Sequence, residues 1–347
     1  MDDASRPDFG ADLSIVVPLY NEQDSVQPLV DAIEAAYIAG GNSDGWELIL
    51  VDDGSVDETA ARACQACESS RLPTRVIRLQ RNFGQTAAMQ AGIDAATGRL
   101  IATMDGDLQN DPRDIARMVD HLDAHDLDLL VGRRANRQDG LLLRKIPSWI
   151  ANRLIGRVTG VKIRDYGCSL KVYRGSIIRQ VRLMGEMHRF IPAWVAGVTS
   201  PHRIGEIDVQ HHARQFGQSK YGISRTVRVA LDLLSVLFFM KFQARPGHFF
   251  GTVGIAIGAV AALMLAIVFN AKVMMGQDVG TRPMLLIGSF AALTSIQLIA
   301  FGVLAEMISR VASPAEHRVT YIIRTTHKNS ASKRQPVATI MMTKEAA

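Results

Sequence analysis

Short apolar runs alternate with amphipathic stretches along the first 135 or so residues. Leu13 to Val17 (LSIVV), Glu47 to Val51 (ELILV), Val76 to Leu79, Leu100 to Met104 (LIATM) and Asp128 to Val131 read as buried strands. Between them apolar positions recur at helical spacing over about 24–39, 57–67, 84–96 and 112–124. Alternating strand and helix predicts an α/β domain with a mostly parallel sheet. Asp111-Pro112 reads as a cap followed by proline at the first helical position.

The pattern changes near the C-terminus. Residues 249–271 and 283–305 each form 23 positions without a charge. At about 1.5 Å per residue each run reaches roughly 35 Å, enough to cross a hydrocarbon core of about 30 Å with some tilt. Gly251, Gly254, Gly258 and Gly302 suit helices that approach each other in lipid. Two transmembrane helices are therefore expected. Basic residues flank the pair: Arg225, Arg228, Lys241 and Arg245 before it, and Arg310, Arg318 and Arg324 after it. The loop between, 272–282, carries only Lys272, Asp278 and Arg282. Met1 to Asp12 has four Asp and no apolar core of a leader. The expectation is a multi-pass protein of the cytoplasmic (inner) membrane, with the large domain and both termini cytoplasmic.

Three further stretches carry weaker patterns. Val227 to Phe242 is apolar but holds Asp232 and Lys241, and reads as an interfacial amphipathic helix within 226–245. Leu141 to Val161 is apolar and basic, with charges at 144, 145, 153 and 157. It reads as one or two helices docking on a bilayer, or as ordinary core with long basic side chains reaching out. His317 to Thr325 (HRVTYIIRT) reads as a strand available for pairing with another subunit. The expected organisation is thus a tail (1–12), a catalytic domain (13–225), the interfacial helix (226–245), two spans (249–271, 283–305) and a cytoplasmic tail (306–347) with a strand at 317–325.

Composition narrows the class without choosing a function. The chain has 347 residues, 48% apolar and 21% charged, with 39 Lys and Arg against 34 Asp and Glu, a formal charge of +5. Disorder, collagen-like repeats and heavily charged coiled coils are excluded. Three cysteines exclude a disulfide scaffold. Cys64 and Cys67 form one CxxC on a helical stretch and read as structural. No GxGxxG follows the first strand and no GxxxxGK[ST] occurs, which disfavours dinucleotide and P-loop chemistry. No nucleic-acid partner is expected.

Candidate chemistry sits at the strand ends. They carry Pro18-Leu19-Tyr20-Asn21-Glu22, Asp52-Asp53-Gly54-Ser55 and Asp105-Gly106-Asp107. Ligands of open α/β sheets bind beyond the carboxyl ends of the strands. Clustered carboxylates there repel unless a cation lies between them. Asp105 and Asp107 suit Mg²⁺ or Mn²⁺ shared with the phosphate oxygens of a substrate.

The segments VVPLYNE (16–22), LVDDGSVDET (50–59), RNFGQTAAMQAGID (81–94), MDGDLQNDP (104–112), DYGCSLKVYR (165–174) and RQFGQSKYG (214–222) together resemble glycosyltransferase family 2. Within it the chain is similar to the polyprenyl-phosphate glycosyltransferases, the bacterial relatives of dolichol-phosphate mannose synthase, over about 13–310. The resemblance implies a GT-A catalytic domain of Rossmann-like, nucleotide-diphospho-sugar transferase type. It implies inverting transfer of a hexose from a UDP- or GDP-sugar to polyprenyl (undecaprenyl) phosphate, glucose first and mannose next, for cell-envelope glycosylation. It also implies roles. Pro18, Tyr20 and Glu22, with Asp52, Asp53, Asp105, Gly106 and Asp107, would hold the nucleotide. Asp107 and Gln109 would bind the metal. Asp105, Asp107, Arg134, Arg214 and Lys220 would carry catalysis, with Arg133 the other reading of Arg134. Arg214, Lys220 and Arg144 would meet the acceptor phosphate.

Other residues keep two readings. His211 and His212 read as edge-strand residues before a catalytic pair or metal ligands, and His188 and Arg189 as an acceptor guide or a structural element. A phosphate monoester has a second pKa of about 6, so no His or Glu is expected as an essential base. A processive polysaccharide synthase would need a QxxRW segment, and no Arg-Trp pair occurs. A catalytically inactive nucleotide-sugar-binding membrane protein is the remaining alternative. Small-residue faces on the spans permit a homo-oligomer.

Overall fold

In the computed structural model the described residues are 10–40, 45–134, 155–156, 159–183, 185, 187–212, 246–276, 278, 280, 282–311, 321 and 323–328, with side chains described for all of these but 309–311. Arg144, Arg214 and Lys220, the 226–245 helix and most of the 141–161 stretch lie outside them. The chain forms two compact units, Met1–Leu233 with Val319–Ala347, and Leu234–Arg318.

The first unit is built on one sheet. Its strands are β1 (Ala11–Leu19), β2 (Trp46–Asp52), β3 (Thr74–Leu79), β4 (Gly98–Thr103), β5 (Leu129–Arg134), β6 (Lys171–Arg174), β7 (Ile204–Val209) and β8 (Ile323–Lys328). The spatial order is β7-β5-β6-β4-β1-β2-β3-β8. β1 to β4 are mutually parallel, β6 runs antiparallel between β4 and β5, and β8 lies antiparallel on β3.

Both faces of the sheet are covered, so the central strands read as continuous apolar runs. Leu13, Ile15, Val17 and Leu19 of β1 share a core with α1 (Val26–Ala39), α2 (Thr59–Ser69) and α4 (Arg113–Ala124). The opposite face of β1 receives α3 (Gln85–Ala95). Gly92 makes that approach close: a Cβ there would stand 2.2 Å from Val16 Cγ1. Two short helices follow, α5 (Gly175–Ile178) and α6 (Ile191–Val195), the latter after a 3-10 turn at Met187–Phe190.

Several boundaries differ from the sequence reading. Pro18 does not end the first strand; β1 continues to Leu19, with Pro18 in register with Val51. The β4 ladder stops at Val16 opposite Thr103, so the missing N–H of Pro18 costs no sheet bond. The sixth strand spans Lys171–Arg174, and the C-terminal strand, expected at 317–325, is seen at Ile323–Lys328, three residues past the expected end, with 317–320 and 322 outside the described residues. There it covers the β3 edge of its own chain, and Tyr321 Oη donates to Asp94 at 2.9 Å.

The described residues of the second unit form a pair of helices, α7 (Pro246–Val273) and α8 (Pro283–Val311). Both are long and apolar enough to cross a membrane. Phe269 and Phe290 are 66% and 68% exposed, so the apolar surface points outward rather than into a core. The two helices touch through small residues. A Cβ on Gly258 would stand 2.6 Å from Ser295 Oγ, and Ser295 Oγ donates to the Gly254 carbonyl at 2.7 Å.

Candidate active site

Parallel pairing brings three polar strand ends together. Leu19 is in register with Asp52, and the amides of Asp53 and Met104 donate to the carbonyls of Leu19 and Val16. The segments after β1, β2 and β4 therefore emerge side by side at the carboxyl end of the sheet, where such folds bind ligands.

The first two segments are locked to each other. Asn21 takes a left-handed backbone conformation (φ 54°), its amide donates to Ser55 Oγ, and its side-chain oxygen accepts from the Val56 amide. The Glu22 amide donates to Thr59 Oγ1 at 2.8 Å, and Ser25 Oγ donates to the Glu22 carboxylate at 3.0 Å. Tyr20 is exposed, whereas Pro18 is buried in the strand and has only main chain to offer a nucleotide.

Asp52 and Asp53 do different work. Asp52 is fully buried, accepts the Ser55 amide at 3.2 Å and faces Arg78 Nε at 3.4 Å. Asp53 accepts the amides of Phe83 and Gly84 at 2.8 and 2.9 Å, which fixes the loop ahead of α3. Burial raises the Asp53 carboxyl, and those two amides oppose the rise. Gly54 (φ 65°) lies directly against this loop. A Cβ there would stand 2.4 Å from the Arg81 carbonyl carbon, so only glycine fits.

The third segment holds the paired carboxylates. Gly106 packs on Leu19, where a Cβ would come within 2.4 Å of Cδ2. Asp105 accepts from Gln85 Nε2 at 2.7 Å and from the Ser169 side chain. Ser169 Oγ in turn accepts from Asn110 Nδ2 at 2.8 Å. Asp107 is buried and accepts the Gln109 amide at 3.2 Å, around a left-handed Leu108 (φ 58°). Burial, followed by the charge of Asp107, raises the Asp105 carboxyl above its ordinary value. Two carboxylates in this state fit a divalent cation between them and a diphosphate. Among the described residues no group of three His, Cys, Asp or Glu side chains could hold a metal unaided. Oxygen ligands from a substrate and water would complete any such site.

A buried lysine borders Asp105, and two arginine ion pairs stand on the adjoining strand β5. Arg134 makes a two-pronged ion pair with Asp165, at 2.7 and 2.9 Å. Arg133 instead pairs with Asp208 at the surface, its Nη2 at 2.6 Å. The two arginines thus have different partners, Asp165 for Arg134 and Asp208 for Arg133. Lys171 is buried on β6, donates to the Cys168 carbonyl and interacts with Asp105 and Asp165. Burial lowers its pKa, while the two carboxylates oppose the fall. Arg214, Lys220 and Arg144, expected at the acceptor phosphate, lie outside the described residues.

Gln85, Asn110, Asp165, Ser169 and Lys171 had no assigned role in the sequence reading. A lone lysine within the apolar run LKVY was the one usable signal. His211 forms an isolated bridge with Asn110, and His212 donates its amide to the Gln109 carbonyl. The histidine pair thus braces the 107–111 loop. Cys67 Sγ donates to the Thr74 carbonyl and Cys168 is buried beside Gly132.

Comparison with known proteins gives the constellation its context. Residues 14–182 match the family described as Glycosyl transferase family 2. The chain is 61% identical over 313 residues to dodecaprenyl-phosphate galacturonate synthase of Rhizobium johnstonii, covering 90% of this chain and 92% of that one. It is 35% identical over 315 residues to undecaprenyl-phosphate 4-deoxy-4-formamido-L-arabinose transferase of Klebsiella pneumoniae, again over 90% and 92%. Among solved structures, glucosyl-3-phosphoglycerate synthase of Mycobacterium tuberculosis, in complex with Mn²⁺, UDP-glucose and phosphoglyceric acid, superposes with a TM-score of 0.51. That match covers 67% of this chain and 80% of the other at 15% identity, and it speaks for the GT-A fold alone. With the sheet, its strand-end carboxylates and the full-length relatives in agreement, the chain belongs to the polyprenyl-phosphate glycosyltransferases of glycosyl transferase family 2.

Proposed function

We propose that this enzyme transfers a uronic acid, galacturonate first, from a nucleoside diphosphate to a polyprenyl phosphate of about dodecaprenyl length. The observation that carries the proposal is the 61% identity to a dodecaprenyl-phosphate galacturonate synthase over nearly the whole of both chains. Glucose and mannose, the sugars expected from the sequence alone, give way to a uronate. UDP is the favoured nucleotide.

The chemistry follows from the residues. A phosphate oxygen of the acceptor forms a bond to the anomeric carbon. The bond from that carbon to the donor's β-phosphate oxygen breaks, and the nucleoside diphosphate leaves. The acceptor phosphate, with a second pKa of about 6, is already largely an anion at neutral pH, so no strong base is required. The obstacle is bringing two anions together. Asp107 and Gln109 are the proposed holders of Mg²⁺ or Mn²⁺, which when bound neutralises diphosphate charge. Asp105, held by Gln85 and Ser169, is proposed to orient the sugar and diphosphate. Arg134, kept in one rotamer by Asp165, supplies fixed positive charge beside them. Tyr20, Glu22, Asp52 and Asp53 are proposed to frame the nucleoside, with Asp53 acting through the loop it braces. Arg214, Lys220 and Arg144 are proposed for the acceptor phosphate. The helix pair α7 and α8 is proposed to hold the enzyme in the cytoplasmic membrane, with the catalytic domain and both termini on the cytoplasmic side.

The test is a donor panel. Full-length enzyme in detergent is incubated with dodecaprenyl phosphate, Mn²⁺ or Mg²⁺, and labelled UDP-galacturonate, UDP-galactose, UDP-glucose or GDP-mannose. Label from UDP-galacturonate is expected in the organic extract, dependent on the metal. Extraction of label only from a neutral donor would overturn the uronate assignment.

A further inference from the structure

We propose that Arg78 is a positioning residue of the nucleotide site, holding the buried Asp52 carboxylate in place, and that the C-terminal strand β8 secures Arg78 from the outer edge of the sheet. The proposal rests on the reading that Asp52 frames the nucleoside, and adds to it the residues that hold that carboxylate still.

The placement follows from strand register. Asp52 on β2 is in register with Arg78 on β3, and Arg78 with Thr325 on β8. Side chains aligned in this way share one face of a sheet. Here it is the face that α2 covers. Leu50 and Val76, two positions earlier on their strands, lie in the same core as Ala63 and Cys67 of that helix. A carboxylate, a guanidinium and a hydroxyl thus form a row across the carboxyl end of the sheet. Arg78, Thr325 and His327 line, with Val76 and Cys64, a cavity of about 180 Å³. His327 Nε2 lies 3.3 Å from Glu68 Oε1, which fastens β8 to α2.

Burial makes Arg78 more than a neighbour. Asp52 is fully buried. Its Oδ1 accepts the Ser55 amide at 3.2 Å, and Ser55 Oγ accepts the Asn21 amide at 3.0 Å. The place of this carboxylate therefore sets the segment that carries Tyr20 and Glu22. Its Oδ2 has no hydrogen bond among the described residues, and faces Arg78 Nε at 3.4 Å. A buried carboxylate stripped of its countercharge is strongly unfavourable, so loss of the guanidinium would drive Asp52 from its place. Arg75, on the same strand, is the contrast. Three positions earlier, it falls on the opposite face. There Nη1 donates to the Ala95 carbonyl at 2.8 Å and Nη2 lies 3.8 Å from Glu47, away from the strand-end segments.

The experiment measures UDP binding by calorimetry, and donor KM and kcat with UDP-galacturonate, for full-length protein in detergent with Mn²⁺. UDP binding reads the site whichever sugar the donor carries. Arg78→Met is expected to raise the UDP Kd and donor KM about 30-fold, with kcat within about 3-fold of wild type. Arg78→Lys should recover part of that loss, because it keeps the charge and loses the fork. Thr325→Glu sets a rival carboxylate opposite Arg78, and should raise donor KM about 5-fold without lowering the unfolding temperature. Arg75→Met should lower the unfolding temperature and leave donor KM within about twofold. An unchanged UDP Kd in Arg78→Met, or an equal rise in Arg75→Met, would overturn the role of Arg78. An unchanged donor KM in Thr325→Glu would overturn that of β8. UDP bound by Asp52→Asn as tightly as by wild type would refute the nucleoside reading itself, a result distinct from the others.

Discussion

The two units solve opposite problems with the same residue. In the sheet unit, glycine lets loops touch so that polar groups can be held still. Gly54 lies against the backbone of Arg81, and the loop it permits is then fixed by the Asp53 carboxylate. In the helix pair, Gly254 and Gly258 let two apolar rods meet, and the joint is closed by one hydroxyl, Ser295, on a main-chain carbonyl. Their large apolar residues are inverted as well. Ile15, Leu48 and Leu50 are fully buried, whereas Leu263 and Phe290 point outward. One unit hides its apolar surface from water, and the other leaves it on the outside, as helices long enough to cross a bilayer do. Among the described residues buried charge is accordingly confined to the sheet unit, where Asp52, Asp107 and Lys171 lie beneath the strand ends.

That contrast can be broken from either side. The largest effect is expected at Asp107. Asp107→Ala should lower transfer by about a thousandfold, with the helix pair untouched, as read by label in the organic extract. Retention of nucleotide binding in that variant would separate catalysis from binding. Next is Gly54→Ala, which places a Cβ against the Arg81 backbone at a left-handed φ. A loss of about 3 kcal/mol is expected in thermal unfolding of the sheet unit, together with weaker nucleotide binding. Gly258→Leu should cost the helix pair about 1–3 kcal/mol through collision with Ser295, while leaving nucleotide binding at the sheet unit within twofold. Loss of nucleotide binding in Gly258→Leu would undo the division of labour described above.

The smallest effect concerns pH and sharpens the view of the carboxylate pair. Burial and Asp107 raise the Asp105 carboxyl, so the folded chain binds this proton more tightly than the unfolded chain. The linked stability is complete below the ordinary Asp value of about 3.9 and is lost as pH rises through the raised one. Asp105→Asn cannot suffer that loss and keeps an oxygen for Gln85. Without metal or nucleotide it should unfold about 2 °C above wild type at pH 7, with the difference shrinking as pH falls. A difference that grows toward acid would contradict the assignment.

Much of the architecture was legible in the pattern of residues. Largely apolar runs located the central strands because both faces of β1 and β2 are covered, and the charge-free runs located α7 and α8 because each is one long apolar helix. Boundaries were less legible. Pro18 looks like a strand terminator, and only the early end of its β4 neighbour explains why it is not. Of the site, the strand-end carboxylates were visible as clusters, since a ligand-binding sheet gathers them at one edge. Their supports were not. Gln85 and Ser169 stand 20 and 64 positions beyond Asp105 in opposite directions along the chain, and only the fold brings both to one carboxylate. Arg133 and Arg134 are indistinguishable as neighbours in sequence. They separate because successive strand residues point to opposite faces, one meeting Asp208 and the other Asp165.

The most direct measurement is the mass and phosphorus content of the lipid product. Enzyme, dodecaprenyl phosphate, UDP-galacturonate and Mn²⁺ are incubated, and the extracted lipid is examined by mass spectrometry and phosphorus resonance. The account requires one uronic acid joined to the lipid through a single phosphodiester, with UDP released in equal amount. A lipid pyrophosphate with release of UMP, or a chain of several sugars, would contradict it.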